Sequence, residues 1–383
     1  MGAPGVPIAF ARARLRVRAA ETPMSDLLRI ALAAWPLAMP LSSAADTGLP
    51  RPDAHGSTGL PRPDAHAPIG VMGDHLHDAG EVMFSYRFSR MAMRDNYDGD
   101  DTLRDREVVG TPGNPGRFMV VPTSMEMDMH MIGVMFAPHD AVTTAVMVPF
   151  LRLRMDHLTR AGGRFTTESS GIGDVKAQAL VRLFDTGSHE AHLNAGLSFP
   201  SGSIDEKDFL PAAGSDQRLP YPMQLGSGTW DLLPGATYKG HAGDFSWGAQ
   251  ALGTLRTGRN RNGYRLGDRA DVTAWGAYQW TSWLSTSARL AYGWWDDIHG
   301  SDDRLNPNMV PTADPDRRDG QRLDWLLGLN LTVPFGRAGN HRLAVEYGRP
   351  FYQRLDGPQL GADWRVIAGW QSAFDWKLPG FGD

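Results

Sequence analysis

The segment Trp364-Arg365-Val366-Ile367-Ala368-Gly369-Trp370-Gln371-Ser372-Ala373-Phe374 puts Trp364, Val366, Ala368, Trp370 and Phe374 on one side of an extended strand, with Ser372 the single small polar residue among them. Arg365, Gly369 and Gln371 fall on the other side together with Ile367. Successive side chains of a strand point to opposite faces. A strand apolar on one face, polar on the other and closing on Phe is the usual last strand of an outer-membrane barrel. One such strand also suits a soluble sandwich, so the rest of the chain has to decide.

The same period of two recurs in twelve stretches from Glu81 onward. Examples are Val82/Phe84/Tyr86/Phe88, Val175/Ala177/Ala179/Val181/Leu183 and Ala191/Leu193/Ala195/Leu197/Phe199. Later come Leu323/Trp325/Leu327/Leu329/Leu331/Val333 and Leu343/Val345/Tyr347; Val142 to Phe150 and Ala270 to Trp280 alternate less cleanly. The connections carry a second rhythm. Met93 to Thr123, Arg154 to Ile172, Pro200 to Gly228, Thr257 to Asp268, Asp296 to Gly320 and Phe351 to Gln359 read as long loops. Between them lie tight turns at Pro138-His139-Asp140, Asp185 to Ser188, Gly240 to Gly243, Thr281 to Trp283 and Phe335 to Asn340. Short turns on one side and long loops on the other are expected of a barrel inserted from the periplasm. The fold class expected is therefore all-β: a closed antiparallel transmembrane β-barrel of about 12 strands, outer-membrane type. Closure leaves no strand edge, so every backbone group finds a partner without water.

Composition agrees. The mean hydropathy is −0.34, and the one apolar run near the ~20 residues a membrane helix needs, Leu27 to Ala45, is broken by Pro36 and Pro40. A barrel is polar overall because half of each strand faces its lumen. The chain has no Cys, which excludes disulfides and thiolate sites, and a net charge of −5 gives no reason to expect nucleic acid. Trp230, Tyr238, Trp247, Tyr278, Trp280, Trp294, Trp295, Trp364 and Trp370 fall mainly at strand ends, as aromatic girdles do.

The domain reading has four parts. Residues 1–45 form a cleaved signal peptide, with an apolar core from Leu27 to Met39 and small residues at Ser42/Ala44 or Ser43/Ala45. Arg12, Arg14, Arg16 and Arg18 suit its basic region; alternatively Met24 is the start and 1–23 an artefact. Residues 46–79 are a Pro/Gly-rich arm, in which Thr47-Gly48-Leu49-Pro50-Arg51-Pro52-Asp53-Ala54-His55 returns as Thr58 to His66. Such repeats build no core of their own. Residues 80–374 are the barrel and 375–383 a tail.

If the apolar sets face lipid, the opposite sets line the lumen. The candidate pore-lining residues are Arg87, Glu126, Asp128, His130, Lys176, Arg182, Glu190, His192, Asp231, Asp271, Arg289, Arg322, Asp324, Glu346 and Arg365. Both signs are nearly balanced. Such residues either pair across the lumen as a structural mesh or form rings that select a solute. Loop Pro200 to Gly228, with Asp205 to Leu210 and Pro220-Tyr221-Pro222, is the candidate constriction.

No metal site is assigned. In Met125-Glu126-Met127-Asp128-Met129-His130-Met131 the thioethers alternate away from the acids and His130, so they cannot converge on one ion. His75 and His77, with Asp74 or Glu81, lack a third strong ligand nearby in sequence. No cofactor motif, nucleophile elbow or acid/base pair is found, so the chain reads as a non-enzyme.

Several segments resemble a family of Gram-negative outer-membrane transporters named after the meta-pathway of phenol degradation. They are Gly70-Val71-Met72-Gly73-Asp74-His75, Ser124 to Met131, Gly162 to Asp174 and Leu197 to Ile204. Tyr221 to Thr229, Pro311 to Asp316 and Asp356 to Leu360 complete the likeness. The resemblance implies a porin-like barrel in the outer membrane passing hydrophobic or aromatic compounds. The expected partners are membrane lipid, the barrel assembly machinery and a small-molecule solute, with no nucleic acid. The tail after Phe374 and the duplicated arm depart from the family pattern. The alternatives are a non-conducting structural or adhesive barrel and an outer-membrane lipid hydrolase, whose His-x-Ser-Asn-Gly motif is missing here.

Overall fold

Long alternating strands with apolar residues on one face close into a single antiparallel sheet. The computed structural model describes residues 62–375, apart from 112, 211–212 and 335–339. The signal-peptide and tail readings, and the first copy of the repeat, lie outside the described residues. Twelve strands build the wall: β1 (Glu81–Gly99), β2 (Val120–His139), β3 (Val142–Thr159), β4 (Arg164–Ile172), β5 (Lys176–Asp185), β6 (His189–Ser198), β7 (Asp231–Ala242), β8 (Phe245–Arg256), β9 (Arg269–Thr281), β10 (Leu284–Trp295), β11 (Gly320–Pro334) and β12 (Asn340–Asp375). β4 and β5 share one place in the order, pairing with the upper and lower parts of β3.

Eleven elements thus form the closed sheet, and β12 closes it on β1 from Glu81↔Asp375 to Gly99↔Leu355. An odd number of antiparallel segments cannot close on an antiparallel pair. β12 resolves the parity by reversing: Asn340 to Leu355 pairs with β11, and Leu355 to Asp375 pairs with β1. Counted by legs, the wall has the twelve segments that the period-two pattern predicts.

The packing is inside out. Ile132, Leu183, Leu290 and Leu327 are all more than half exposed on the outer wall. Val134, Val146, Val148, Val272, Val345 and others complete a band too large for a soluble monomer. Aromatic residues gather toward the turns: Tyr278 and Trp280 rings lie 4.8 Å apart, Phe84 and Phe374 5.8 Å, His341 and Trp370 5.8 Å.

The tight turns lie where the sequence puts them, among the described residues. The long loops are partly corrected. β1 continues to Gly99 and β2 begins at Val120, so the loop is shorter than Met93 to Thr123 and carries a short helix, α1 (Asp105–Val109). Arg154 to Ile172 is mostly a hairpin of β3 and β4 with a turn at Arg160 to Gly163. Its charged outward residues disguise a strand: Arg154 Nη1 donates to Glu168 Oε1 at 2.7 Å across the pair. Phe351 to Leu355 is likewise strand. The walls are taller on this side, and the extra height is what reads as loop.

Candidate pore, plug and outer cap

Each strand's inward face is set by its alternation, and small or amide-bearing residues on those faces leave room inside. Ser85, Asn194, Thr237, Ser246, Gln250, Ser285, Ser287 and Asn330 are buried there. The space they leave is occupied by the chain itself. Residues 62–80 enter the lumen, with Ala67, Ile69 and Val71 at most 2 % exposed. Ala67 and Val71 pack on Trp275, and Ile69 packs on Ala344 and Ile367.

The walls hold this plug mainly by its carbonyls. Ser246 Oγ donates to Asp64 O at 3.2 Å, Lys239 Nζ to Ala65 O at 3.1 Å and Arg342 Nη2 to Ala67 O at 2.6 Å. Arg87 reaches Val71 O at 3.5 Å, and Gln250 donates to Met72 O at 2.9 Å. His192 Nε2 and Asn194 Nδ2 meet at Gly73 O, at 3.0 and 2.9 Å. In the other direction the Gly70 amide donates to Glu346 Oε2 at 2.6 Å, while Arg289 holds both oxygens of that carboxylate at 2.9 and 3.1 Å. An extended segment without its own ladder needs this, because its buried backbone groups must be paired.

Most of the proposed lining residues are on the inner face. Arg87, His192, Arg289 and Glu346 touch the plug directly or through one another, and Glu190 supports Lys239 at 2.6 Å. Arg182 is inward but turns to Asp185 at the rim, at 2.7 Å. Above the plug, Lys176, Ser198, Asp231 and Arg256 form one row of paired strands, with Arg256 bonded to Asp231. Asp271 pairs with Arg269 at 2.6 Å. Asp324 sits between Arg322 at 2.9 Å and Arg365 at 3.1 Å. This zone holds five cations against three carboxylates, and Lys176 has no hydrogen-bond or ion-pair partner among the described residues.

Glu126, Asp128 and His130 are the correction. On β2 the methionines face inward and these three face out. Asp128 takes a two-point bond from Arg90 at 2.6 Å, and His130 Nδ1 meets Tyr86 Oη at 2.8 Å on the outer wall. The assumption that the apolar set meets lipid fails here because β2 is tall. Its upper outer face carries cross-strand charge pairs, while Met125 packs inward against Leu153, Met155, Leu219, Met223 and Leu225.

The last three of those belong to the loop Phe199 to Trp230, which folds over the outer mouth rather than into solvent. Ser169 Oγ donates to Met223 O at 2.7 Å, and Tyr221 packs with Tyr264 and Ile298 from two further loops. A charge cluster locks the three together. Arg218, itself buried, bonds Asp302 at 2.7 Å and Asp205 at 2.5 Å, and Arg261 and Arg304 join Asp205 and Asp302. The Arg218 guanidinium holds the Asp205 carboxyl well below the usual range, and burial pushes the Tyr264 phenol up to about 12. Nearby, Asp319 rises to about 6 through burial and the facing Asp297 and Asp356.

The plug contacts, the inward Trp275 and the methionine lining were not read from the sequence. A usable signal did exist in Gly70-Val71-Met72-Gly73, apolar and strand-like beside interior rings rich in amide and hydroxyl side chains. The architecture defines the class as a closed outer-membrane-type β-barrel with an internal segment.

No family model matches the chain, and no curated protein does. Among solved structures, the chain is similar to the COG4313 outer membrane channel from Pseudomonas putida F1, at 13% identity and a TM-score of 0.52, over 79% of this chain and 99% of that one. The P. putida toluene transporter TodX gives a TM-score of 0.39 at 10% identity, over 78% and 91% of the two chains. A Pseudomonas aeruginosa FadL homologue gives 0.33 at 12%, over 77% and 90%. The first likeness supports the fold; the other two are too loose to carry an argument.

Proposed function

We propose that this protein is a passive outer-membrane channel for small solutes, including hydrophobic or aromatic ones, related to the phenol meta-pathway transporter family. One observation carries this reading: the lumen is filled by a separable segment of chain, held by side chains that the wall directs at its carbonyls. A barrel needed only as a scaffold can fill itself with its own interlocking side chains. Here the inner wall stays polar, and the filler is a separate stretch of chain that runs into β1 at Gly80. Moving residues 62–80 would clear the lumen up to the zone of Lys176, Asp271, Arg322, Asp324 and Arg365, leaving the outer loops as the remaining barrier. Above it, Met93, Met125 and Met127 with Leu151 and Leu360 offer a pliable apolar surface, since methionine adapts to varied ligand shapes. The apolar outer band and the aromatic residues near the rims support a place in the outer membrane. Most of these charged groups, Lys176 excepted among the described residues, are tied into structural pairs.

The test is solute flux into proteoliposomes carrying the full chain or a chain lacking residues 46–80. The shortened barrel should pass small aromatic carboxylates faster than sugars of similar size. A folded shortened barrel that passes neither would refute the channel; equal rates for both would refute the aromatic preference alone.

A further inference from the structure

The plug folds His66 back onto His75, nine residues further along, beside the neighbouring His77. His66, from the second copy of the repeat, places Nδ1 3.3 Å from Nδ1 of His75. Asp74 Oδ1 lies 2.9 Å from the same His75 nitrogen. The three donor atoms fall within 4.8 Å of one another. Ligand bonds of about 2.0–2.1 Å at tetrahedral angles separate donors by about 3.3 Å, so the two imidazoles already stand one tetrahedral edge apart.

Proton bookkeeping accommodates an ion at this corner. Nδ1 of His75 faces both a carboxylate and another ring nitrogen. Its Nε2 faces His77 Nε2 at 3.2 Å, and His77 Nδ1 faces Glu81 Oε2 at 3.0 Å. A neutral imidazole has one N–H. If His75 spends it on Asp74, then His77 must donate from Nε2, and the Glu81 contact then closes only with a second proton on His77. Put a cation on His75 Nδ1 and every contact closes. His75 donates from Nε2 to His77, and His77 donates from Nδ1 to Glu81. A ligating histidine whose other N–H runs to a carboxylate is the usual outer support of a metal site. Asp74 is fixed in turn, because its Oδ2 accepts from the Ala67 amide at 2.8 Å.

We propose that His66, Asp74 and His75 bind one divalent first-row transition ion of the zinc–copper group, with His77 and Glu81 orienting His75. Two imidazole nitrogens and one carboxylate oxygen suit that group better than magnesium or calcium, which prefer oxygen throughout. The three ligands leave a position for solvent, and His66, only partly buried, gives the route of entry. The ion ties the start of the plug loop to its end and, through His77 and Glu81, to the foot of β1.

The experiment is equilibrium dialysis of the full, untagged, refolded chain against zinc, with metal content measured and folding checked by heat-modifiable electrophoretic mobility. The expected result is saturable binding of one zinc per chain, absent from a His66→Ala/His75→Ala variant and unchanged in His139→Ala at a turn. Glu81→Gln should weaken binding about 10- to 100-fold, as loss of an outer support does. No saturable binding by the folded wild type would overturn the proposal, as would binding that survives the double substitution. If the double variant does not fold, the single His66→Gln, at the accessible ligand, serves in its place with the same two readings.

Discussion

Replacing Glu346 by Ala attacks the plug where its docking is most sharply defined. The carboxylate is 1 % exposed, takes the Gly70 amide at 2.6 Å and is gripped by Arg289 at 2.9 and 3.1 Å. Removing one member of a buried ion pair costs about 3–5 kcal/mol, because the other charge is left uncompensated. The share that bears on docking is the Gly70 bond, worth about 1.5–3 kcal/mol to a charged acceptor. At 1.4 kcal/mol per decade this shifts the plug toward release by roughly 10- to 150-fold. The strand ladder contains none of these bonds, so the barrel should still fold. Limited proteolysis reads the outcome: cleavage within residues 62–80 should accelerate by about that factor while the barrel fragment stays intact. Unchanged cleavage in a folded Glu346→Ala barrel would refute the claim that this carboxylate anchors the plug.

Other perturbations separate the parts. Gly70→Ala places a Cβ 2.5 Å from Glu346 Oε2 and closer still to Arg289, so it should release the plug at a cost of about 1–3 kcal/mol, read by the same proteolysis. Arg218→Ala leaves buried Asp302 with only one of its two arginine partners and cuts the tie between Asp205 and Asp302; hydrogen exchange in the loop from Phe199 to Trp230 should rise while plug cleavage stays unchanged. The Asp319 carboxyl is raised in the folded protein, so its contribution is fully present below the ordinary carboxylate range and is lost as pH rises through about 6. Exchange protection around Asp297, Asp319 and Asp356 should therefore be greater at pH 5 than at pH 7, and Asp319→Asn should abolish the difference.

The wall was legible because each lipid-facing strand repeats with period two, and a slip of one residue would turn its apolar set inward. That signal fails where the two environments resemble each other. On β2, methionines pack inside against a loop while Glu126, Asp128 and His130 pair outside, so polarity no longer reports direction. The β3–β4 hairpin was missed for the same reason: Arg152, Arg154 and Glu168 form an outward charge ladder that looks like loop composition. The plug was hidden differently. Its carbonyls bond to side chains of five wall strands and carry no side-chain signature of their own, and only the fold shows that His66 meets His75.

Single-channel conductance of the refolded chain in a planar bilayer, with and without residues 46–80 and under asymmetric salt, tests the account most directly. The full chain should give small or rare steps and the shortened one frequent, larger steps. The reversal potential should show mild anion preference, from Lys176, Arg256, Arg269, Arg322 and Arg365 facing Asp231, Asp271 and Asp324. A shortened barrel that folds but does not conduct would contradict it, leaving the lumen a sealed interior.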